Sequence, residues 1–346
     1  SRRTKTAYSI SYKITMLHEP AYHKNVSLRR FYSHYIWGKN VEKYMRKKEK
    51  PDVIYCAVPS LTAAYKLAKY CKKNCVKFVI DIQDLWPEAF QMVLNLPIIS
   101  KIVFFPLKKM ADKIYSTADI ICGVSKTYVD RALRVNRKCK EGKVVFLGTE
   151  LCRFDQYAKR DIGRKKKINE FWLGYCGTLG SSYDLTTVFD ALEILKKENK
   201  FKIKFWIMGD GPKADEFKSY ASKKEIDVYF LGRLPYEIMC AWITHCDIAI
   251  NPIMHNAAQS IINKHADYAA AGIPVISTQE NQEYRDLVDK YSMGFNCRNN
   301  DAVDMGKKIK LLLENDSLRK KMGSNARKCA MECLDRKKTY LKLTDL

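Results

Sequence analysis

Twelve cysteines are spread over 346 residues without a single C-x-x-C pair. Cys71 and Cys75 have three residues between them, as do Cys329 and Cys333, and neither pair has a second pair at zinc-finger spacing. The six histidines also lack metal-ligand spacing. These absences exclude a zinc module and a disulfide scaffold, and no metal is expected. Cys56, Cys122, Cys176 and Cys246 lie in or beside apolar runs, where a free thiol packs as a small hydrophobe. A reducing, cytoplasmic setting is therefore expected. No apolar run approaches the length of a bilayer span. Acid is scarce as well, with 62 Lys and Arg against 38 Asp and Glu, a formal net charge of +24. The excess is concentrated early: residues 1–50 hold thirteen basic residues and three acidic ones. Such a face suits nucleic acid, an anionic membrane or a pyrophosphate-bearing substrate, or is simply a solvated lysine-rich surface.

The length allows about two domains, each with its own core. Strand-like runs YKITML, DVIYCAV, KFVIDIQ, ADIICGV and KVVFLGT alternate with helical stretches near 28–49, 60–73, 86–113 and 125–137. After a polar, basic linker at 155–169, FWLGYCG, KIKFWIMG, VYFLGR, DIAINPI, PVIST and GFNC repeat the theme. Apolar runs without polar alternation, separated by helices, indicate parallel sheets covered on both faces. The expectation is α/β: two doubly wound domains, 1–160 and 161–330, with 331–346 as a terminal helix. Ligand belongs in the crevice at the strand C-terminal ends.

Three phrases carry candidate chemistry. QSIINKHADYAAAGIPVIST (Gln259–Thr278) reads as a helix starting at Ser260 and ending at Gly272, with Pro274 opening a strand. Free amides at its mouth, Lys264 beside them and Asp267 further along can hold a diphosphate and grip ribose hydroxyls. The plainer reading is an amphipathic helix before a core strand. CGTLGSSYDL (Cys176–Leu185) is a strand, a turn with Gly177 and Gly180, then a helix capped by Ser181 or Ser182 with Asp184 in its first turn. VIDIQDLWPEAF (Val79–Phe90) puts Asp81 and Asp84 at a strand end, where charge is costly without a partner or a function. Asp84 alternatively caps the next helix. Met92–Lys113 mixes Ile98, Ile102, Val103, Phe104 and Phe105 with Lys101, Lys108 and Lys109, which suits either a lipid interface or a core-packed helix pair.

These phrases resemble the retaining glycosyltransferases of family 4 with the GT-B fold. Gln259 and Asp267 stand at the two positions of that family's Glu-x7-Glu motif, and both depart from Glu. The S-I-x-N-K-x-x-D-Y-x-A-x-G form and D-L-W-P-E resemble the branch that builds bacterial surface polysaccharides (capsule, O-antigen), most closely transferases acting on polyprenol-linked sugars. The resemblance implies retaining, metal-independent transfer from a nucleotide diphosphate sugar, UDP-linked by preference, without a cofactor. Asp267 would hold the ribose. Ser260, Ile261 and Asn263, helped by Lys264 and Arg233, would hold the diphosphate. Gly177, Thr178, Leu179 and Gly180 form the first donor loop, and Gly209, Asp210 and Gly211 the turn near the base. Ser and Asp occupy the place after the first loop where many relatives carry Arg and Lys. Gln259 would face the sugar, and Asp84 would orient or polarise the acceptor hydroxyl. Together Asp84, Lys264 and Gln259 make the expected catalytic set. His23, Lys24, Arg29 and Arg30 would meet an acceptor pyrophosphate or lipid headgroups at the inner face of the plasma membrane, with no nucleic-acid role. By the same resemblance the C-terminal helix returns to the first domain. Relatives begin with a strand and glycine loop before a segment like SRRTK, so roughly fifty residues of the usual first domain are expected to be missing. A sugar-nucleotide epimerase, a nucleic-acid-binding protein and a catalytically impaired remnant remain the alternatives.

Overall fold

The computed structural model describes residues 13–22, 27–58, 60–88, 102–198, 200–257 and 261–344. Its first sheet is parallel throughout, in the order β1 (Val53–Ala57), β2 (Lys77–Ile82), β3 (Ile120–Gly123), β4 (Lys143–Val144). Phe78, Val79, Ile80 and Ile82 of β2 are fully buried, as a strand covered on both faces requires. Helices Leu61–Asn74, Phe105–Thr117 and Lys126–Leu133 connect these strands, and Leu28–Met45 packs on Leu61–Asn74. Ser27 and Ser125 each accept a hydrogen bond from the third amide of the helix they cap. The expected first strand, YKITML, is not one over its described residues. His18 and Pro20 give their carbonyls to Asn40 and Ser33 of the helix Leu28–Met45, so this segment lies on a helix instead of pairing with β1.

The second sheet has six parallel strands in the order β10-β9-β8-β5-β6-β7. They are β5 (Glu170–Cys176), β6 (Lys202–Met208), β7 (Val228–Gly232), β8 (Ile248–Asn251), β9 (Val275–Ser277) and β10 (Gly294–Asn296). Successive side chains alternate between two cores. Trp172, Cys176, Trp206 and Met208 face one, while Leu173, Tyr175, Phe205 and Ile207 face the other. Trp172, Trp206 and Trp242 stack with ring centroids 4.7–6.0 Å apart. Each such ring removes enough apolar area from water to contribute about 2–3 kcal/mol. The winding reverses between β5 and β8, and that switch point opens a crevice beyond their C-terminal ends.

The expected linker is partly helical: Leu151–Ala158 forms a helix, because Leu151 and Phe154 reach the second core. After the long helix Asp316–Cys329, the chain passes Leu334 and bridges Thr149 to Asp335. Arg336 donates to the carbonyls of Leu147 and Gly148, and Lys143 donates to the carbonyl of Lys342, so the C-terminal segment lies against the end of the first sheet. A further contact joins the two domains: the Lys126 amide donates to both carboxylate oxygens of Glu283 at 2.9 Å. Lys126 follows β3 and Glu283 follows β9, so the C-terminal ends of the two sheets meet across the cleft.

Candidate functional site

Beyond β5, β6 and β7 runs a groove of about 620 Å³ lined by Cys176, Gly177, Met208, Arg233, Tyr236, Asn263, Lys264 and Asp267. It continues past Thr178, Gly209, Asp210, Gly211 and Leu234. Most of the residues singled out in the second half therefore share one surface. Leu179, Gly180 and Ile261 are buried behind it. Gln259 and Ser260 lie outside the described residues.

The glycines at the turns have two distinct causes. Gly177 holds φ of +145°, a conformation that favours glycine, and it borders the groove. Gly209 and Gly211 instead back onto the first turn: a Cβ on either would collide with the carbonyl of Gly177 or Leu179. The Leu179 amide donates to the Asp210 carbonyl at 3.0 Å, and the Asp210 carboxylate accepts from the Gly211 amide at 2.8 Å. The two turns thus brace each other. Neither Ser181 nor Ser182 caps the following helix, Leu185–Lys197. Asp184 does, accepting from the Thr187 amide and from the hydroxyls of Thr186 and Thr187. Its carboxylate can take several donors at once where a hydroxyl takes fewer.

The helix carrying Lys264 and Asp267 spans Asn263–Ala270, so it starts three residues later than Ser260. Ile262 precedes it, and His265 supplies the capping: its Nδ1 accepts from the Ile262 amide at 2.9 Å. Burial, then the nearby Lys264 charge, holds the His265 imidazole down to about 3, so it stays neutral and keeps that acceptor. Asn251 and Gln279 pack on the same ring from the ends of β8 and β9. First-turn amides have no intrahelical partner, and Asn263 and Lys264 border the groove. The helix ends as expected, with Gly272 at φ of +68°.

Lys264 is only 7% exposed. Its Nζ has no hydrogen-bond partner among the described residues and rests over the rings of Tyr183, 3.9 Å away, and Tyr175, 5.0 Å away. Burial brings its pKa down to about 7. Asp267, 5% exposed, accepts from the Tyr236 hydroxyl at 2.7 Å, and that hydroxyl also meets Thr149 Oγ1 at 2.6 Å. Burial raises Asp267 to about 6, against the pull of Tyr236, Thr149 and Arg336. Neither Tyr236 nor Thr149 was flagged by sequence. Arg233 is exposed at the groove edge and makes no ion pair among the described residues.

The acidic phrase of the first domain resolves into three roles. Asp81 is buried and accepts from the Tyr55 hydroxyl at 2.7 Å and from Gln83 Nε2 at 3.1 Å. Glu88 takes Arg131 Nε at 2.6 Å, while the same guanidinium holds Asp112 at 2.6 Å. Asp84 opens to solvent at the strand end, yet the surrounding wall raises its pKa by desolvation, with the Arg30 charge opposing. Arg30 stacks on Trp86 at 4.6 Å and on Tyr22 at 5.6 Å. His23 and Lys24 lie outside the described residues, as do residues 92–101 of the apolar segment. In the remainder of that segment, Phe104 packs into the core while Ile102, Val103 and Phe105 are exposed, with Lys109 over the Phe105 ring. Among the described residues no helix is long and apolar enough to cross a membrane, and no group of three His, Cys, Asp or Glu could hold a metal ion.

Comparison with known proteins gives a family match in the second half and a structural match over both domains. Residues 158–329 match the family described as Glycosyl transferases group 1. A probable glycosyltransferase WbjE of Pseudomonas aeruginosa is 24% identical over 251 residues, covering 69% of this chain and 60% of that protein. An uncharacterized glycosyltransferase of Methanocaldococcus jannaschii is 23% identical over 241 residues, covering 69% and 61%. The chain thus spans about 60% of the length of these curated relatives. Among solved structures, Anabaena HepE in complex with UDP superposes with a TM-score of 0.69 at 16% identity, covering 90% of this chain and 81% of that one. That likeness extends over both domains, and the architecture is the GT-B fold of two parallel-sheet α/β domains.

Proposed function

We propose that this chain, whose second domain belongs to the Glycosyl transferases group 1 family, is a glycosyltransferase that uses a nucleotide diphosphate sugar, UDP-linked by preference. The observation that carries this reading is the placement of two buried, incompletely compensated charges, Lys264 and Asp267, along one groove beneath a helix mouth. Burying an ammonium without a counter-ion costs several kcal/mol, a cost that an incoming diphosphate would relieve. Asp267 is set to take the ribose hydroxyls. The base would lie between the Gly209–Gly211 turn and Arg233–Leu234, and the diphosphate at the amides of Asn263 and Lys264. Solved structures of HepE with UDP and with UDP-glucose are consistent with this class of donor.

During transfer, negative charge grows on the departing diphosphate, and fixed donors already aimed at it stabilise that charge more than the ground state. Lys264, Arg233 and the helix amides fill this role without a cofactor or a metal. Retention follows from attack on the face the leaving group departs from, with the leaving phosphate accepting the acceptor proton. Asp84 would orient the acceptor hydroxyl, and Gln259 would contact the sugar. The acceptor is a polyprenol-linked sugar or glycan in surface-polysaccharide synthesis. The exposed Ile102, Val103 and Phe105 beside Lys108 and Lys109 would rest on an anionic inner membrane surface.

Thermal shift of the purified chain against UDP, GDP, dTDP, ADP and CMP tests the donor site. UDP at a hundred times its Kd should add about 2.7 kcal/mol of stability. Asp267→Ala should remove that shift while its own melting temperature stays within a few degrees, because Tyr236 keeps Thr149 as a partner. A variant that still binds UDP like the wild type would sink the reading.

A further inference from the structure

Tyr236 has no role in the transfer scheme above, yet its hydroxyl donates a hydrogen bond to the groove's buried carboxylate. It opens the helix Tyr236–Thr244 directly after Pro235, and its ring meets Tyr157 edge-on at 6.2 Å. The hydroxyl is held at both ends. Thr149, beyond β4 and bridged to Asp335, lies 2.6 Å away, and Asp267 Oδ1 lies 2.7 Å away. Thr149 is itself fixed at the hinge: its amide donates to the Leu334 carbonyl and its carbonyl accepts from the Arg336 amide.

We propose that Tyr236 is a positioning residue for the donor ribose: aligned by Thr149, its hydroxyl occupies one oxygen of Asp267 and holds the carboxylate in place for the ribose diol. The inference rests on the reading of this groove as a UDP site. The geometry explains why a hydroxyl suits this place better than a cation. A hydroxyl donates one hydrogen bond and leaves the carboxylate its charge, whereas an ammonium or guanidinium would neutralise it and compete with the sugar. Among the described residues, Lys264 and Arg233 share the groove with Asp267, Arg336 approaches from the C-terminal segment, and the Cys176 and Cys240 thiols from β5 and the Tyr236 helix. Glu150, Arg153 and Glu237 line the cavity on the hinge side. Burial already pushes Asp267 up to about 6, and the Tyr236 bond works against that push. Without it the carboxyl takes up its proton at higher pH, and a protonated carboxyl grips a diol less well.

Titration calorimetry with UDP and with 2′,3′-dideoxy-UDP, on wild type and Tyr236→Phe at pH 6, 7 and 8.5, tests this. For Tyr236→Phe, UDP affinity should fall about tenfold at pH 6 and 7 and recover most of that loss at pH 8.5. Affinity for the dideoxy nucleotide should differ from wild type by less than twofold at every pH. Thr149→Val should shift UDP affinity the same way by about threefold, with melting temperatures of both variants recorded to confirm folding. Equal loss for both nucleotides, or a loss independent of pH, would overturn the inference and leave the donor site standing. A wild type that binds no UDP would overturn the donor site and the inference together.

Discussion

The charge clusters of the two domains treat charge in opposite ways. In the first domain, Arg131 joins Glu88 and Asp112, and Asp81 is met by Tyr55 and Gln83. In the second, the Lys264 Nζ finds no hydrogen-bond partner among the described residues and rests on ring faces, and Asp267 is met by hydroxyls and distant charges. Partnered charges hold a fold together, whereas a buried charge left without a counter-ion costs stability until something else supplies one. The difference therefore assigns structure to most of the first cluster and ligand binding to the second.

The sharpest way to break that comparison is to remove the first cluster's shared cation. Arg131→Met strands Glu88 and leaves Asp112 with Lys108 alone, two carboxylates that are roughly a quarter exposed. Uncompensated charges of this kind cost about 3 kcal/mol, somewhat less with solvent access. Denaturant unfolding should register that loss, while UDP affinity measured on the folded fraction stays within twofold. A large, specific loss of UDP affinity would erase the distinction between the clusters.

Lys264→Met reverses the pattern. Binding of UDP should weaken by about twentyfold, roughly 2 kcal/mol, as expected for one charge-assisted contact. Stability should rise, because an apolar side chain of similar length replaces a buried amine. The pH dependence fixes the sign. Folding depresses the Lys264 pKa to about 7, so between pH 7 and the ordinary lysine value near 10.4 the unfolded chain binds the extra proton. Wild-type stability relative to the Met variant should therefore fall as pH drops from about 10 towards 7 and level off below. Unfolding curves at pH 7, 8.5 and 10 for both proteins read this difference directly; a constant gap would mean the amine is charged in the folded state throughout.

Legibility followed the range of the interaction. Runs such as KFVIDI and FWLGYC show their burial locally, so the two parallel sheets could be read before any contact was known. Gly272 and Pro274 likewise mark a helix end through backbone rules alone. Tyr236 and Thr149 were invisible because their meaning lies in partners 31 and 87 positions away. The start of the Asn263–Ala270 helix differs from the expectation for a related reason: a histidine ring from within the helix takes the amide of Ile262, the residue that precedes it. Gly209 and Gly211 show a packing role that local sequence does not announce. They line the groove, but what excludes a side chain there is the neighbouring turn.

Asp84 is where the comparison becomes finest, since it sits in the compensated cluster yet does not share its partners. Its neighbours Asp81 and Glu88 are fixed by Tyr55, Gln83 and Arg131, while Arg30, the charge that acts on it, is engaged with the Trp86 ring. Desolvation raises its pKa, which favours a group that holds or passes a proton over one that only pairs with a cation. Asp84→Asn keeps the shape and removes the charge. Turnover should fall about tenfold with UDP affinity unchanged, and the residual activity should lose its acid limb in a pH–rate profile. Arg30→Met offers the complementary measurement: removing the opposing positive charge should raise the Asp84 pKa further and move that limb to higher pH. If Asp84→Asn instead lowers melting temperature and turnover together, with the acid limb intact, Asp84 belongs with Asp81 and Glu88 as part of the scaffold, and the acceptor must be oriented by another group in the cleft.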